Sequence, residues 1–128
     1  MIGGGWSEAP SCVSSVCTAG CRIFSPPEAP ALLHGDLWSG NVLSAPDGVP
    51  VLIDPAVYHG HREMDLAMAR LFGGTHEAFQ AAYHDEMPLE AGWEERVGLC
   101  NLYPLLVHLN LFNAGYAQAV KTVLERFA

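Results

Sequence analysis

Apolar and polar positions fall into two textures along the chain. Residues 1–30 are rich in Gly, Ser, Pro and Cys and show neither an alternating nor a 3.6-residue apolar period. That stretch is expected to be irregular and to pack poorly. From Ala31 the texture changes. Ala31-Leu32-Leu33 reads as a short strand running into a loop at His34, and Asn41-Val42-Leu43-Ser44 as a second strand. Ala45-Pro46-Asp47-Gly48 has Pro and Gly where a tight turn needs them, so Val49 to Ile53 should run back and close a β-hairpin. Asp65 to Phe72 has few polar positions and predicts a short buried helix, ended by Gly73-Gly74. Thr75 can cap a further helix over His76 to Asp85, and Met87-Pro88-Leu89-Glu90 breaks the pattern. A long apolar helix is expected from Trp93, with Pro104 either kinking it or starting a new segment. After Asn113-Ala114-Gly115, Tyr116, Val120, Val123 or Leu124, and Phe127 share one face of a last helix. The expected architecture is α+β: an irregular segment over 1–30, then one mainly helical domain over 31–128 with a small β-hairpin.

Chemistry concentrates where the first strands end. Residues 34–41 read His-Gly-Asp-Leu-Trp-Ser-Gly-Asn, followed by Ile53-Asp54-Pro55-Ala56. Phosphoryl transfer from ATP needs a carboxylate to take the proton of the attacking hydroxyl and oxygen ligands to hold Mg²⁺ on the phosphates. Kinase-like folds draw these from a His-x-Asp loop, an Asn five residues after that Asp, and a second Asp after the next strand. Asp36, Asn41 and Asp54 stand at those spacings. Asp36 is the candidate catalytic base, with a turn Asp capping local backbone as the plain alternative. Asn41 and Asp54 are the candidate ATP-side and Mg²⁺ ligands. Each carboxylate ends an apolar stretch, as when a buried strand delivers a charge to a cleft. The three groups should therefore converge on one cleft.

The segment His34 to Asn41 resembles the catalytic loop of the fructosamine kinase (ketosamine 3-kinase) family, within the aminoglycoside- and choline-kinase-like phosphotransferases. His-Gly-Asp and the downstream Asn are shared across that wider group. Trp38-Ser39-Gly40 is more specific to the fructosamine kinases. The resemblance continues through Asp54 to Met68, Leu71-Phe72-Gly73-Gly74, Ala82-Tyr83 with Pro88-Leu89, and Leu102 to Phe112, in family order from about Pro27. It implies a protein kinase-like C-terminal lobe, with ATP and Mg²⁺ used to phosphorylate a sugar hydroxyl on a ketosamine, free or protein-bound. Such a step would repair glycated amines. It also implies a structural role for His34, holding the loop by hydrogen bonds. Asp65 would brace the catalytic loop, with helix N-capping as the plainer alternative. Trp38 would pack either against the sugar or in the core. The pair His59 and His61 reads as loop contacts rather than a metal site, and His108 as a satisfied core histidine.

A two-lobed kinase of this kind also has a Gly-rich loop over the phosphates and a strand Lys paired to a helix Glu. The 33 residues before His34 contain no Lys and one Arg, Arg22, and Gly3-Gly4-Gly5 is followed by no Lys. The sequence therefore reads as a C-terminal lobe with the N-terminal lobe absent, a truncated or frameshifted product with little activity alone. Two alternatives remain beside the fructosamine kinase reading. One is another small-molecule kinase of the group, of choline, homoserine or aminoglycoside type. The other is a non-catalytic lobe or binding module.

Composition narrows the partners. Half of the residues are hydrophobic and 16% are charged, as in a folded domain. The net charge is −8, from 14 acidic against 6 basic residues, which disfavours nucleic acid and anionic membranes. No apolar run reaches the length of a membrane span, and the N-terminus lacks a signal-peptide pattern. Cys12, Cys17, Cys21 and Cys100 lack the spacing of paired zinc knuckles, so reduced thiols in the cytoplasm are expected.

Overall fold

A computed structural model describes residues 26–72, 77–112 and 114–127. The expectation that residues 1–25 pack poorly and the proposed cap at Thr75 lie outside the described residues. Strands β1 (Ala31–Leu33), β2 (Val42–Ser44), β3 (Pro50–Leu52) and β4 (Tyr58–Gly60) precede four helices. These are α1 (Glu63–Leu71), α2 (Glu77–Glu86), α3 (Trp93–Phe112) and α4 (Ala117–Phe127), with 3₁₀ turns at Ser39–Asn41 and Ala114–Tyr116. The lobe is thus mainly helical.

The expected hairpin is present: β2 pairs antiparallel with β3, Val42 opposite Leu52 and Ser44 opposite Pro50. A second two-stranded sheet, which the sequence reading missed, pairs β1 with β4, Leu33 opposite Tyr58 and Ala31 opposite Gly60. Burial of the strands departs from expectation. Leu33 is buried, but Leu32, Leu43, Val51 and Leu52 are exposed. A two-stranded ribbon can bury at most the side that meets another layer, and the described residues put no second layer over the hairpin. The second candidate carboxylate therefore follows an exposed ribbon rather than a buried strand.

The core forms between α1 and α3. Leu66 and Ala67 of α1 meet Trp93 and Cys100 of α3, with Met64, Tyr83, Leu89 and Val97 packed around them. Ala67 and Ala69 are fully buried, and such small side chains let the two helices approach closely. Pro104 does not divide the long helix; α3 runs through it without a break, even though Pro cannot bond back to the carbonyl of Cys100. Gly98 of α3 faces α4: a Cβ there would touch the Phe127 ring at 3.5 Å, an ordinary contact distance. Burial pushes the Cys100 thiol up to about 11, with Glu63 adding to the rise, so this cysteine stays protonated and inert.

Three consecutive residues, His61, Arg62 and Glu63, tie the lobe together through polar contacts. His61 Nε2 donates to the Pro26 carbonyl at 3.0 Å. Arg62 bonds the Glu28 carboxylate through Nε at 2.9 Å and the carbonyls of Met87 and Pro88 at 2.6 and 2.8 Å. Glu63, 1% exposed, is held in a two-pronged pair by Arg96, Nε to Oε2 at 2.8 Å and Nη2 to Oε1 at 2.5 Å. Arg96 also donates to the carbonyl of Ala91. Residues 26–28 carry no regular element but are joined to the start of α1 by these bonds.

Candidate active site

The loop between β1 and β2 is built around a sharp reversal at Gly35. Its φ is +79°, and a side chain there would run into the carbonyl oxygen of Ala56. Only glycine fits both conditions. The reversal brings two consecutive backbone N–H groups onto one carboxylate. His34 N–H donates to Asp65 Oδ2 at 2.6 Å, and Gly35 N–H to Asp65 Oδ1 at 2.8 Å. Asp65 lies in the first turn of α1, where Arg62 holds the cap position. The capping alternative for Asp65 is thus replaced by a bond from the helix to the loop. The His34 ring completes the brace: Nε2 donates to the Ile53 carbonyl at 2.9 Å, and Nδ1 accepts the Asp36 N–H at 3.3 Å. These two bonds suit the tautomer that carries its proton on Nε2.

Asp36 and Asn41 meet directly. Asn41, 6% exposed, donates from Nδ2 to the Asp36 backbone carbonyl at 2.8 Å and to Asp36 Oδ2 at 2.9 Å. Both bonds use the Nδ2 end of the amide, leaving Oδ1 outside them. Asp54 is placed through its neighbour. Ile53 N–H donates to the Asn41 carbonyl at 3.0 Å, while the Ile53 carbonyl takes the His34 ring. Asp54 itself has φ +51°, the one described non-glycine residue in the left-handed region. Asp tolerates this conformation better than most residues, and such outliers gather at functional sites. The chain is thus turned at Asp54, directly after the point that His34 and Asn41 grip.

Trp38 is neither core nor free. It is 38% exposed, and its indole folds back over Gly40, where an added Cβ would collide with the six-membered ring, Cζ3 lying 2.7 Å away. Ser39 Oγ donates to the Phe72 carbonyl at 3.3 Å, tying the loop to the end of α1. The Trp-Ser-Gly triplet thus has a local physical reason at each position. Gly40→Ala is expected to displace the Trp38 ring while leaving the helices intact. The check is the NMR signal of the indole N–H: that of Trp38 should move and that of buried Trp93 should stay.

Two cavities adjoin at Asp36. The first, about 240 Å³, is lined by Asp36, Tyr58, Met68, Tyr103, Val107 and His108 among others. Burial first, then the Asp65 charge, hold the Tyr58 phenol above its ordinary value. The second, about 430 Å³, is walled by Trp38, Phe72, His108, Phe112 and Tyr116 beside Asp36. His108, expected to be a satisfied core residue, borders both. His59 lies exposed on β4. The sequence reading also passed over Phe72 and Tyr116 as cavity walls. An aromatic directly after a helix and another directly before one was the available signal.

A model of the fructosamine kinase family matches residues 21–128. The chain belongs to the fructosamine kinase family. Relatives include an Enterococcus faecium protein named as a probable ketoamine kinase. It is 52% identical over 98 residues, which are 77% of this chain and 35% of that protein. The ketosamine-3-kinase of Mus musculus is 48% identical over 99 residues, 77% of this chain and 32% of that protein. The chain therefore spans about a third of the length of the curated relatives it matches. A crystal structure of a candidate fructosamine-3-kinase from Thermobifida fusca aligns with a TM-score of 0.77 at 45% identity, covering 89% of this chain and 40% of that one. Among the described residues, no helix is long and apolar enough to cross a membrane.

Proposed function

We propose that this chain carries the acceptor-activating and metal-holding part of a fructosamine kinase, which transfers the γ-phosphoryl group of ATP to a sugar hydroxyl of a ketosamine. The observation that carries the reading is the Asp36–Asn41 pair on a loop braced by Asp65, at spacings shared with the family. Asn41 Nδ2 occupies Asp36 Oδ2, which leaves Oδ1 to receive the acceptor hydroxyl. As that hydroxyl oxygen bonds to the γ-phosphorus, its proton passes to Asp36 and the bond to the leaving ADP oxygen breaks. The His34 and Asp65 bonds keep the loop from rotating during this step, so the carboxylate meets the hydroxyl already oriented. Trp38 covers one side of the acceptor cavity.

The donor set fits Mg²⁺. Asn41 Oδ1 and the Asp54 carboxylate would be its hard oxygen ligands, since Mg²⁺ is commonly held by one or two carboxylates plus substrate phosphates and water. Accordingly, no group of three or more His, Cys, Asp or Glu is needed, and none occurs among the described residues. Bound there, Mg²⁺ would neutralise charge on the phosphates.

Among the described residues, the Lys and Arg side chains stand outside both cavities at Asp36. The single lysine, Lys121, lies on α4 beside Glu125 at 3.6 Å. Arg62, Arg70 and Arg96 are each paired with a carboxylate, and neither cavity at Asp36 is lined by Lys or Arg. This supports a second reading, in which the 128 residues on their own act as a non-catalytic lobe. Loss of one preorganised donor in a phosphate- or oxyanion-binding site costs about 10²–10³ in rate. The 128-residue chain alone should therefore transfer label from ATP to a fructosyl-amine slowly. Fusion to the N-terminal half of a relative should restore transfer, and chelation of Mg²⁺ should stop it. Rapid transfer by the chain alone would contradict the charge argument. No transfer by the fused chain would contradict the kinase reading.

A further inference from the structure

The larger cavity holds more than a sugar hydroxyl needs. Three aromatic rings meet in it around His108. The His108 ring centroid lies 4.5 Å from that of Phe72 and 5.3 Å from those of Phe112 and Tyr116. Phe72 and Tyr116 meet edge to face at 6.3 Å. With the Trp38 indole also in the lining, the cavity is walled by π-systems and carries one charged group, Asp36. Aromatic walls with a carboxylate and no nearby Lys or Arg attract an organic cation. A neutral sugar can use the carboxylate through its hydroxyls, but it has no positive charge for the ring faces to attract.

His108 adds direction. Its Nδ1 donates to the Pro104 carbonyl at 2.8 Å, so the neutral ring keeps its lone pair on Nε2. Nε2 has no partner among the described residues, and it is not a closed-off atom, since the only buried side-chain polar atom without a partner among them is Asn101 Oδ1. It is therefore a hydrogen-bond acceptor open to the cavities that His108 lines.

We propose that this aromatic cavity is the subsite for the amine end of the acceptor: it takes a protonated amine with its substituent, the ring walls holding the charge and His108 Nε2 accepting an ammonium proton. The assignment rests on the ketosamine kinase reading and deepens it. In a ketosamine the nitrogen sits one carbon from the ketone, so a hydroxyl at Asp36 places the cation within reach of the adjoining cavity. The subsite would thus separate ketosamines from free ketoses, which present the same hydroxyls without the charge.

The test measures binding of two probes to the 128-residue chain by NMR titration: a fructosyl-alkylamine and its ether, in which oxygen replaces the amine nitrogen. The amine should bind at least about tenfold tighter. Phe112→Leu, at a 64% exposed position, and Tyr116→Leu should each shrink that ratio. His108→Phe keeps a ring but removes the acceptor, and should weaken the amine without weakening the ether. Equal binding of the two probes, binding of neither, or a ratio indifferent to all three substitutions would overturn the subsite. Phosphate transfer by the fused chain reports the kinase reading separately. Transfer that is intact while the probes bind equally removes the amine subsite alone, and absence of transfer removes both.

Discussion

Asp36→Asn, in a chain completed by the N-terminal half of a fructosamine kinase, is expected to lower the rate of phosphate transfer by about 10²–10⁴-fold. The substitution changes one thing. Asparagine has the same shape, and its oxygen can still accept the Nδ2 bond from Asn41 that Asp36 Oδ2 accepts at 2.9 Å. The backbone bonds that set the loop, His34 and Gly35 to Asp65, do not involve the Asp36 side chain. What is lost is the ability to take the acceptor proton. The fall should therefore appear in kcat, with KM for the ketosamine changing less and the urea unfolding midpoint holding. A variant that keeps its rate would show that the proton leaves by another route. A variant that loses stability in step with rate would show Asp36 to be a structural residue.

Arg96→Leu is expected to destabilise the lobe by about 3–5 kcal/mol, the usual result of removing one member of a buried ion pair. Glu63 is 1% exposed and accepts two bonds from Arg96. Leucine would fill much of the space but leave that carboxylate charged, dry and unpaired. Arg96 also donates to the carbonyls of Ala91 and Glu90, so the segment entering α3 loosens as well. Glu63 holds the guanidinium in its charged form, raising it further above its ordinary value. The guanidinium consequently stays charged across the neutral pH range. Urea denaturation followed by circular dichroism measures the effect. Adding Glu63→Met to Arg96→Leu should recover part of the loss, because an apolar pair has no charge to desolvate. A single variant as stable as the parent would mean that Glu63 reaches water.

Residue spacing made the reacting loop legible because a few local conditions fix it. Gly35 must be glycine to turn against Ala56, Gly40 must be glycine to lie under Trp38, and Asn41 must stand where its amide meets Asp36. Each condition leaves a letter in the sequence. The hairpin was legible for the same reason, through Pro46 and Gly48. The helices α1, α2 and α3 were legible from their apolar periods and breaks, with α1 starting two residues earlier than expected. Other features left no local letter. Strand β4 is an ordinary Tyr-His-Gly that pairs with β1 across an intervening hairpin, and such non-local pairing has no period to reveal it. The Glu63–Arg96 pair joins residues 33 apart. His108 reads as apolar-run filler until α3 is seen to bring it beside Asp36. Exposure of the hairpin was misjudged because an apolar strand is usually a covered one.

The central claim is that the Asp36 loop activates a sugar hydroxyl of a ketosamine for attack on ATP. The most direct test is ³¹P and ¹³C NMR of the product formed by the completed chain from ATP, Mg²⁺ and a fructosyl-amine. The account predicts one equivalent of ADP and a phosphate monoester on a single sugar hydroxyl, formed about 10²–10⁴-fold more slowly by the Asp36→Asn chain. Phosphate released to water, phosphate on the amine's own side chain, or the same ester formed at the same rate without Asp36 would contradict it.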